Sequence, residues 1–155
     1  MISDILSVMF DRKDESIIAE LKKNARSSTK KIAANINIPR VTVRDRIEKM
    51  VQHGIIKAFN VSIDYKKIGY STEVFIFISF LPNIDVSQRE LAKRIAKLPG
   101  VYEVHIISGE YDLLLKVRGK TLDDIGTLVV DKLRQLKGVG RTITFACFET
   151  VKEEL

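Results

Sequence analysis

The residues best suited to binding chemistry lie between Ser28 and Ile47, in the run STKKIAANINIPRVTVRDRI. Ser28, Thr29, Lys30 and Lys31 form one polar cluster; Arg40, Val41, Thr42, Arg44 and Asp45 form a second; Lys49 and Lys57 follow. Lysine, serine and threonine suit phosphate oxygens, which position a protein on a duplex without reading its sequence. An arginine can donate two parallel hydrogen bonds to a guanine, and an aspartate can accept from a cytosine amino group. Arg44 and Asp45 are therefore candidate base readers, beside Arg40, Val41 and Thr42. Ser28 to Lys31, Lys49 and Lys57 are candidate phosphate contacts. The bland alternative is a helical bundle with a solvated charged face. Charge placement weighs against it. Residues 22–57 hold ten basic residues against two acidic, or +8, whereas residues 61–155 hold fourteen against thirteen, or +1. Solubility needs only dispersed charge, whereas a segregated positive field attracts a polyanion.

A second constellation is Gly109-Glu110-Tyr111-Asp112. One reading is a hairpin turn, with glycine supplying a positive φ and an acid bonding nearby amides. The other is a small-molecule pocket: exposed amides hold a carboxylate, Asp112 holds an ammonium and Tyr111 walls the site. An α-amino acid carries both charges. Both readings stand at this level.

Other chemistry is sparse. His53 falls at a helix end, where it complements the dipole. His105 sits in a strand-like run and reads as packed and hydrogen-bonded. The single cysteine, Cys147, cannot form an intrachain disulfide; it fits a reducing compartment and reads as a small core or interface residue. No His/Cys spacing suits a metal, no glycine loop cradles a phosphate, and no nucleophile–base pair stands out. We expect no cofactor, no metal and no enzymatic activity. No apolar run approaches the ~20 residues of a membrane span. The opening MISDILSVMFDRKD lacks the marks of a signal peptide, so a cytoplasmic, nucleoid-associated protein is expected.

These residues need elements to hold them. Asp11 and Asp14 mark a helix N-terminus, and Ile17, Ile18 and Leu21 give that helix an apolar stripe. Ser28 or Thr29 opens a second helix with Ile32, Ala33 and Ile36 inward. Pro39 suits the first turn of a third, in which Val43, Ile47 and Met50 face the core and Val41, Asp45 and Glu48 face away. Gly54 ends it. This is the layout of a helix-turn-helix with its second helix in the major groove. Ile55–Ile63 is apolar and β-branched and reads as a strand, its first part a wing. Beyond it, Glu73–Leu81, Val101–Ile107, Leu113–Val117 and Thr142–Phe148 read as strands. Capping boxes at Ser87–Glu90 and Thr121–Asp124 open two helices, the second carrying Leu122, Ile125, Val129 and Leu133. The order β-α-β-β-α-β is the split ferredoxin-like unit. The fold class is α+β: a winged helix-turn-helix over residues 1–60, a linker strand over 61–70 and a ferredoxin-like βαββαβ domain over 71–155. Glu73–Leu81 is apolar on both faces. Two helices cover only one, so the other predicts a homodimer packed sheet to sheet.

The chain resembles the Lrp/AsnC, or feast/famine, family of transcriptional regulators. The resemblance rests on Asp14, Ala25-Arg26, Thr42-Val43, Arg46-Ile47, Gly54 and Ile56, on Pro99-Gly100-Val101, and on Gly109-Glu-Tyr-Asp112-Leu-Leu. It implies a DNA-binding regulator, with double-stranded DNA as partner, whose dimers assemble to octamers or other multiples. It also implies a free amino acid as effector, bound near Ser108, Gly109, Glu110, Tyr111 and Asp112. The opposite edge of that pocket, Arg141, Thr142, Ile143 and Thr144, would come from a neighbouring subunit. The chain departs from the pattern at Pro39, where the family has a capping serine; Asn37 is the alternative cap, or the helix begins differently. Sirohaem decarboxylases resemble the same two-domain chain and use histidines, for which His105 is the candidate here. A basic recognition helix has no role in such an enzyme.

Overall fold

The computed structural model describes residues 10–82 and 85–153. The stretch on which the signal-peptide reading mainly rests, residues 1–9, lies outside them. The chain divides between Ser62 and Ile63 into two compact units.

The first unit packs three helices. Helix α1 (Arg12–Lys23) opens on a reciprocal cap: the Asp11 carboxylate accepts from the amides of Lys13 and Asp14, and Asp14 accepts from the amide of Asp11. Helix α2 (Thr29–Ile36) is capped by Ser28, whose Oγ accepts from the Lys31 amide at 3.2 Å. Asn37 does not cap the next helix. It ends α2 in the left-handed conformation, at φ 52°, a region asparagine tolerates better than most residues. Pro39 then leads into α3 (Arg40–Gln52) with no side-chain cap. Ile17, Ile32, Val43 and Met50 form the buried centre of the unit. Gly54 closes α3 at φ +70°.

The strand expected over Ile55–Ile63 does not form. Ile55 and Ile56 pack on the helical core, and the chain then runs to Asp64 without a ladder. Phe59, Val61 and Ile63 are left exposed at 52%, 72% and 44%. A strand needs a neighbour to take its amides and carbonyls, and no described segment of this chain provides one. The linker strand expected over 61–70 is likewise replaced by irregular chain and one 3-10 turn, Lys66–Ile68, closed by Gly69 at φ +92°.

The second unit is a four-stranded antiparallel sheet in the order β2-β3-β1-β4. Its strands are β1 (Thr72–Phe80), β2 (Val101–Ile106), β3 (Leu113–Gly119) and β4 (Val139–Ala146). Helix α4 (Gln88–Ile95) joins β1 to β2, and α5 (Leu122–Thr127) joins β3 to β4. Val74, Ile76 and Ile78 of β1 are buried with Leu91, Ile95, Ile125 and Leu133 of the helical layer. The intervening Phe75 and Phe77 lie on the opposite face and stay partly exposed.

Three local expectations are corrected. The Thr121–Asp124 capping box is complete, but at Ser87–Glu90 only the serine half forms, because Glu90 is bonded to Arg94. The last helix widens after Thr127 into a π-helical run, Leu128–Leu133, which keeps Leu128, Val129 and Leu133 buried together. The last strand begins three residues earlier than expected, where Gly140 lets β4 approach Ser79 closely, and ends at Ala146. A β-carbon there would lie 2.6 Å from the Ser79 hydroxyl oxygen.

Candidate functional site

The first site is the outer face of α3. Arg40 and Val41 of its first turn are exposed, Val41 at 64%; Arg44, Glu48 and Lys49 of later turns are exposed as well. Thr42 and Asp45 are half-buried beside them. Arg44 Nε lies 3.5 Å from Asp45 and 3.7 Å from Glu48, with its side chain 64% exposed. Such loose, solvated pairs hold an arginine weakly, so it can exchange them for a base or phosphate. From α2, Thr29 Oγ1 accepts from Arg40 Nε at 3.3 Å, which ties the two helix starts together. Ser28, Lys30, Lys31 and Lys57 are all exposed; the Ser28 hydroxyl is already engaged in its cap.

What orients α3 is Arg46, on its inner side. One guanidinium nitrogen donates to Asp14 at 2.9 Å and to Asp11 at 3.0 Å, with Asp14 only 2% exposed. Desolvation pulls the Asp11 pKa up, but the amides of Asp14 and Lys13, with Arg46, outweigh it and hold the carboxyl below its ordinary value. The hydrogen bond to Asp14 raises the Arg46 pKa against the opposing pull of burial. Arg46 thus fixes the angle at which the exposed face is offered.

The second site is the loop after β2. Gly109 takes φ +134°. The Ile107 amide donates to the Asp112 carbonyl at 2.9 Å, and the Asp112 amide to the Ile78 carbonyl at 3.0 Å. One Asp112 carboxylate oxygen accepts from the Phe80 amide at 2.7 Å, so half of that group is spent fastening the loop to β1. Tyr111 packs edge-on to Phe77, which packs in turn on Phe145, each at 5.5 Å between ring centres. Glu110 and Arg141, both exposed, approach to 3.8 Å, so the loop and the start of β4 meet within one chain. Ser108 is exposed beside them. Arg141 to Thr144 do not act as one surface. Ile143 stands opposite Phe77, while Thr142 and Thr144 oppose Ile78 and Ile76 on the helix-covered side. Thr142 accepts there from Arg134 at 3.1 Å.

His105 is exposed rather than packed, and Nε2 lies 3.0 Å from a Glu103 carboxylate oxygen. Cys147 is half-buried just past β4. Sequence reasoning missed a charged cluster on the open sheet face, where Lys116 and Arg118 are 6% and 8% exposed. Two cations at alternate positions of LLLKVRG were the available signal. Among the described residues no group of side chains is arranged to hold a metal ion, and no helix is long and apolar enough to cross a membrane.

A helix-turn-helix with an exposed basic second helix, joined to a ferredoxin-like sensor sheet, defines a DNA-binding transcriptional regulator with a ligand-binding domain. Winged helix-turn-helix DNA-binding domains match residues 10–57, and the Lrp/AsnC ligand binding domain matches residues 73–155. The chain belongs to the Lrp/AsnC family of transcriptional regulators. It is 44% identical over 150 residues to an uncharacterised HTH-type transcriptional regulator of Pyrococcus furiosus, covering 97% of this chain and 100% of the relative. It is 34% identical over 129 residues to the HTH-type transcriptional regulator LysM of Saccharolobus solfataricus, covering 83% and 87%. The fold matches that of a Neisseria meningitidis transcriptional regulator solved as an L-methionine complex, with a TM-score of 0.87 at 19% identity, covering 94% of each chain. These relatives are regulators, not enzymes, and the sirohaem-decarboxylase reading falls with them.

Proposed function

We propose that the protein is a sequence-specific regulator whose assembly or grip on DNA responds to a free amino acid. The observation that carries the DNA half is the outward set on α3, held in place by Arg46 from behind. Arg44 and Asp45 read base edges, with Arg40, Val41 and Thr42 beside them. Ser28, Thr29, Lys30, Lys31, Lys49 and Lys57 contact phosphates. The effector half rests on opposite charges beside an aromatic wall. Arg141 attracts a carboxylate, Glu110 and the remaining Asp112 oxygen attract an ammonium, and Tyr111 with Phe77 covers the side chain. Ser108 and Gly109 supply the loop backbone; at the second edge Ile143 shares the face of Phe77, and Thr142 and Thr144 back it from the other face. The L-methionine in the Neisseria structure supports an amino acid as the ligand class.

The reader spans residues 1–60 and the effector and oligomerisation domain spans 71–155, joined by 61–70. The protein works in the cytoplasm, associated with the nucleoid. It dimerises through the open sheet faces and assembles to octamers or other multiples of dimers. An effector that prefers one assembly shifts the population toward it and so sets the spacing of recognition helices.

Two measurements test this. Melting temperature is followed with each of the twenty amino acids; a ligand of the native state raises it by mass action. A single clear rise is expected, and none at millimolar concentration rejects the effector half. DNA affinity is followed over a salt series at candidate operator sites. Affinity indistinguishable from random duplex at every salt rejects the sequence-specific half.

A further inference from the structure

Strand β3 carries two cations on the sheet face that the helices leave open, Lys116 and Arg118. The first carboxylate against them is Glu73. It accepts from Arg118 Nε at 2.7 Å and lies 3.7 Å from Lys116 Nζ. The Arg118 guanidinium also sits against two rings, 4.1 Å from the centre of Tyr65 and 4.8 Å from that of Tyr102. Glu103, bonded to His105, is 3.9 Å from Lys116.

The remaining carboxylate comes from the segment after β4. Glu153 pairs with Lys116 and accepts from Arg118 Nη2 at 3.1 Å. Two further bonds hold the same segment. The Cys147 amide donates to the Glu73 carbonyl at 2.9 Å, and Thr150 Oγ1 donates to the Glu73 carboxylate at 3.0 Å. Residues 147, 150 and 153 therefore face the sheet. Phe148 and Val151, between them, face away and are 96% and 91% exposed. This inverts the usual arrangement at a surface, where polar groups take the solvent and large apolar side chains are turned in.

We infer that Cys147–Glu153 is a strap, seated by Glu153 on Lys116 and Arg118, and that it offers Phe148 and Val151 as part of the surface covered by a second copy of this chain. The inference rests on the reading that open sheet faces pair. Continuity argues for the second copy. Glu73, which the strap crosses, is two residues before Phe75 on the same face, and Phe145, 53% exposed, leads out of β4 into the strap. The aromatic patch and the strap are therefore one surface. Charge argues the same way. A two-fold interface buries the same patch on both copies, so bare Lys116 and Arg118 would each be desolvated twice. Glu73 and Glu153 balance them before the faces meet.

The test is the dimer dissociation constant of the full-length chain, measured by sedimentation for the wild type, Phe148→Ser and Glu153→Gln. Both side chains lie outside the core, and Glu73 still pairs the cations in Glu153→Gln. A cooperative melting transition in dilute protein checks the fold. Each substitution occurs twice per dimer, so each is expected to weaken dimerisation about tenfold or more. A wild-type dimer with both variants unchanged overturns the strap and leaves sheet pairing standing. Weakening confined to Phe148→Ser also overturns it, because the seat is then dispensable. A wild type that stays monomeric at every concentration overturns sheet pairing and the strap with it; so does a face that pairs only with a different protein.

Discussion

At the scale of single residues the sharpest contrast is between neighbours Arg44 and Arg46. Arg44 is solvated and loosely paired, so its bonds are available to DNA; Arg46 is spent on Asp11 and Asp14. Arg44→Ala is expected to lose about 1–3 kcal/mol of base discrimination, read as the ratio of specific to random-duplex affinity, with the melting temperature unchanged. Arg46→Met leaves the buried Asp14 carboxylate only the Asp11 amide and is expected to cost about 3 kcal/mol of stability in the DNA-binding unit, measured by urea unfolding. The carboxylates on the open face give a pH signature. Burial raises the Glu73 pKa, but Arg118, Thr150 and Lys116 together bring it below the ordinary 4.5. The hydrogen bond from Lys116 does the same for Glu153 against its own desolvation. A group depressed in the fold binds its proton more weakly there than in the unfolded chain. Its contribution is therefore full above the unfolded value and is lost as pH falls through the folded one. The sheet unit is expected to hold its stability down to about pH 5 and lose it progressively below. Replacing both Glu73 and Glu153 by glutamine should flatten that slope in acid-denaturation curves.

At the scale of elements, caps and periodicity read well from sequence because they are local. Asp11 and Thr121 cap the helices they were expected to cap, Ser28 rather than Thr29 caps α2, and Gly54 ends α3. What failed depended on partners. The run Ile55–Ile63 has strand composition but no neighbouring strand among the described residues, so Phe59, Val61 and Ile63 stand in solvent. Asn37 has the chemistry to cap a helix in either direction, and backbone geometry assigned it to the end of α2. The early start of β4 depends on Gly140 lying against Ser79. Gly140→Ala puts a β-carbon 2.6 Å from the hydroxyl oxygen and 2.9 Å from the Ser79 carbonyl oxygen. The backbone cannot yield as a side chain does. A loss of about 1–3 kcal/mol is expected, with altered exchange of the Arg141 amide, which donates to Ser79 Oγ at 2.8 Å.

At the scale of the whole molecule, the open sheet face keeps apolar side chains that the helices of its own unit do not cover. Phe75 and Phe77 stay partly exposed there, beside Phe145. Phe77→Asp places a charge at the middle of that surface, where it also meets Tyr111. It is expected to yield monomers by sedimentation and to cost DNA affinity, because one recognition helix then binds without its two-fold mate. A variant that remains dimeric would move the interface elsewhere.

The amino-acid sequence alone determined the order of elements, the cationic reader at the front and the sheet unit behind it. Each of these is written in local spacing: 3.6-residue and two-residue periods, capping pairs, and charge counted along the chain. Tertiary structure decided which polar groups are free and which are engaged. It turned one α3 arginine inward and the next-but-one outward, and tied half of Asp112 to a backbone amide. It brought Glu110 to Arg141 across 31 positions and folded Glu153 back onto Lys116 and Arg118. Such pairings join residues distant in the chain, and their strength depends on burial, which no local pattern encodes.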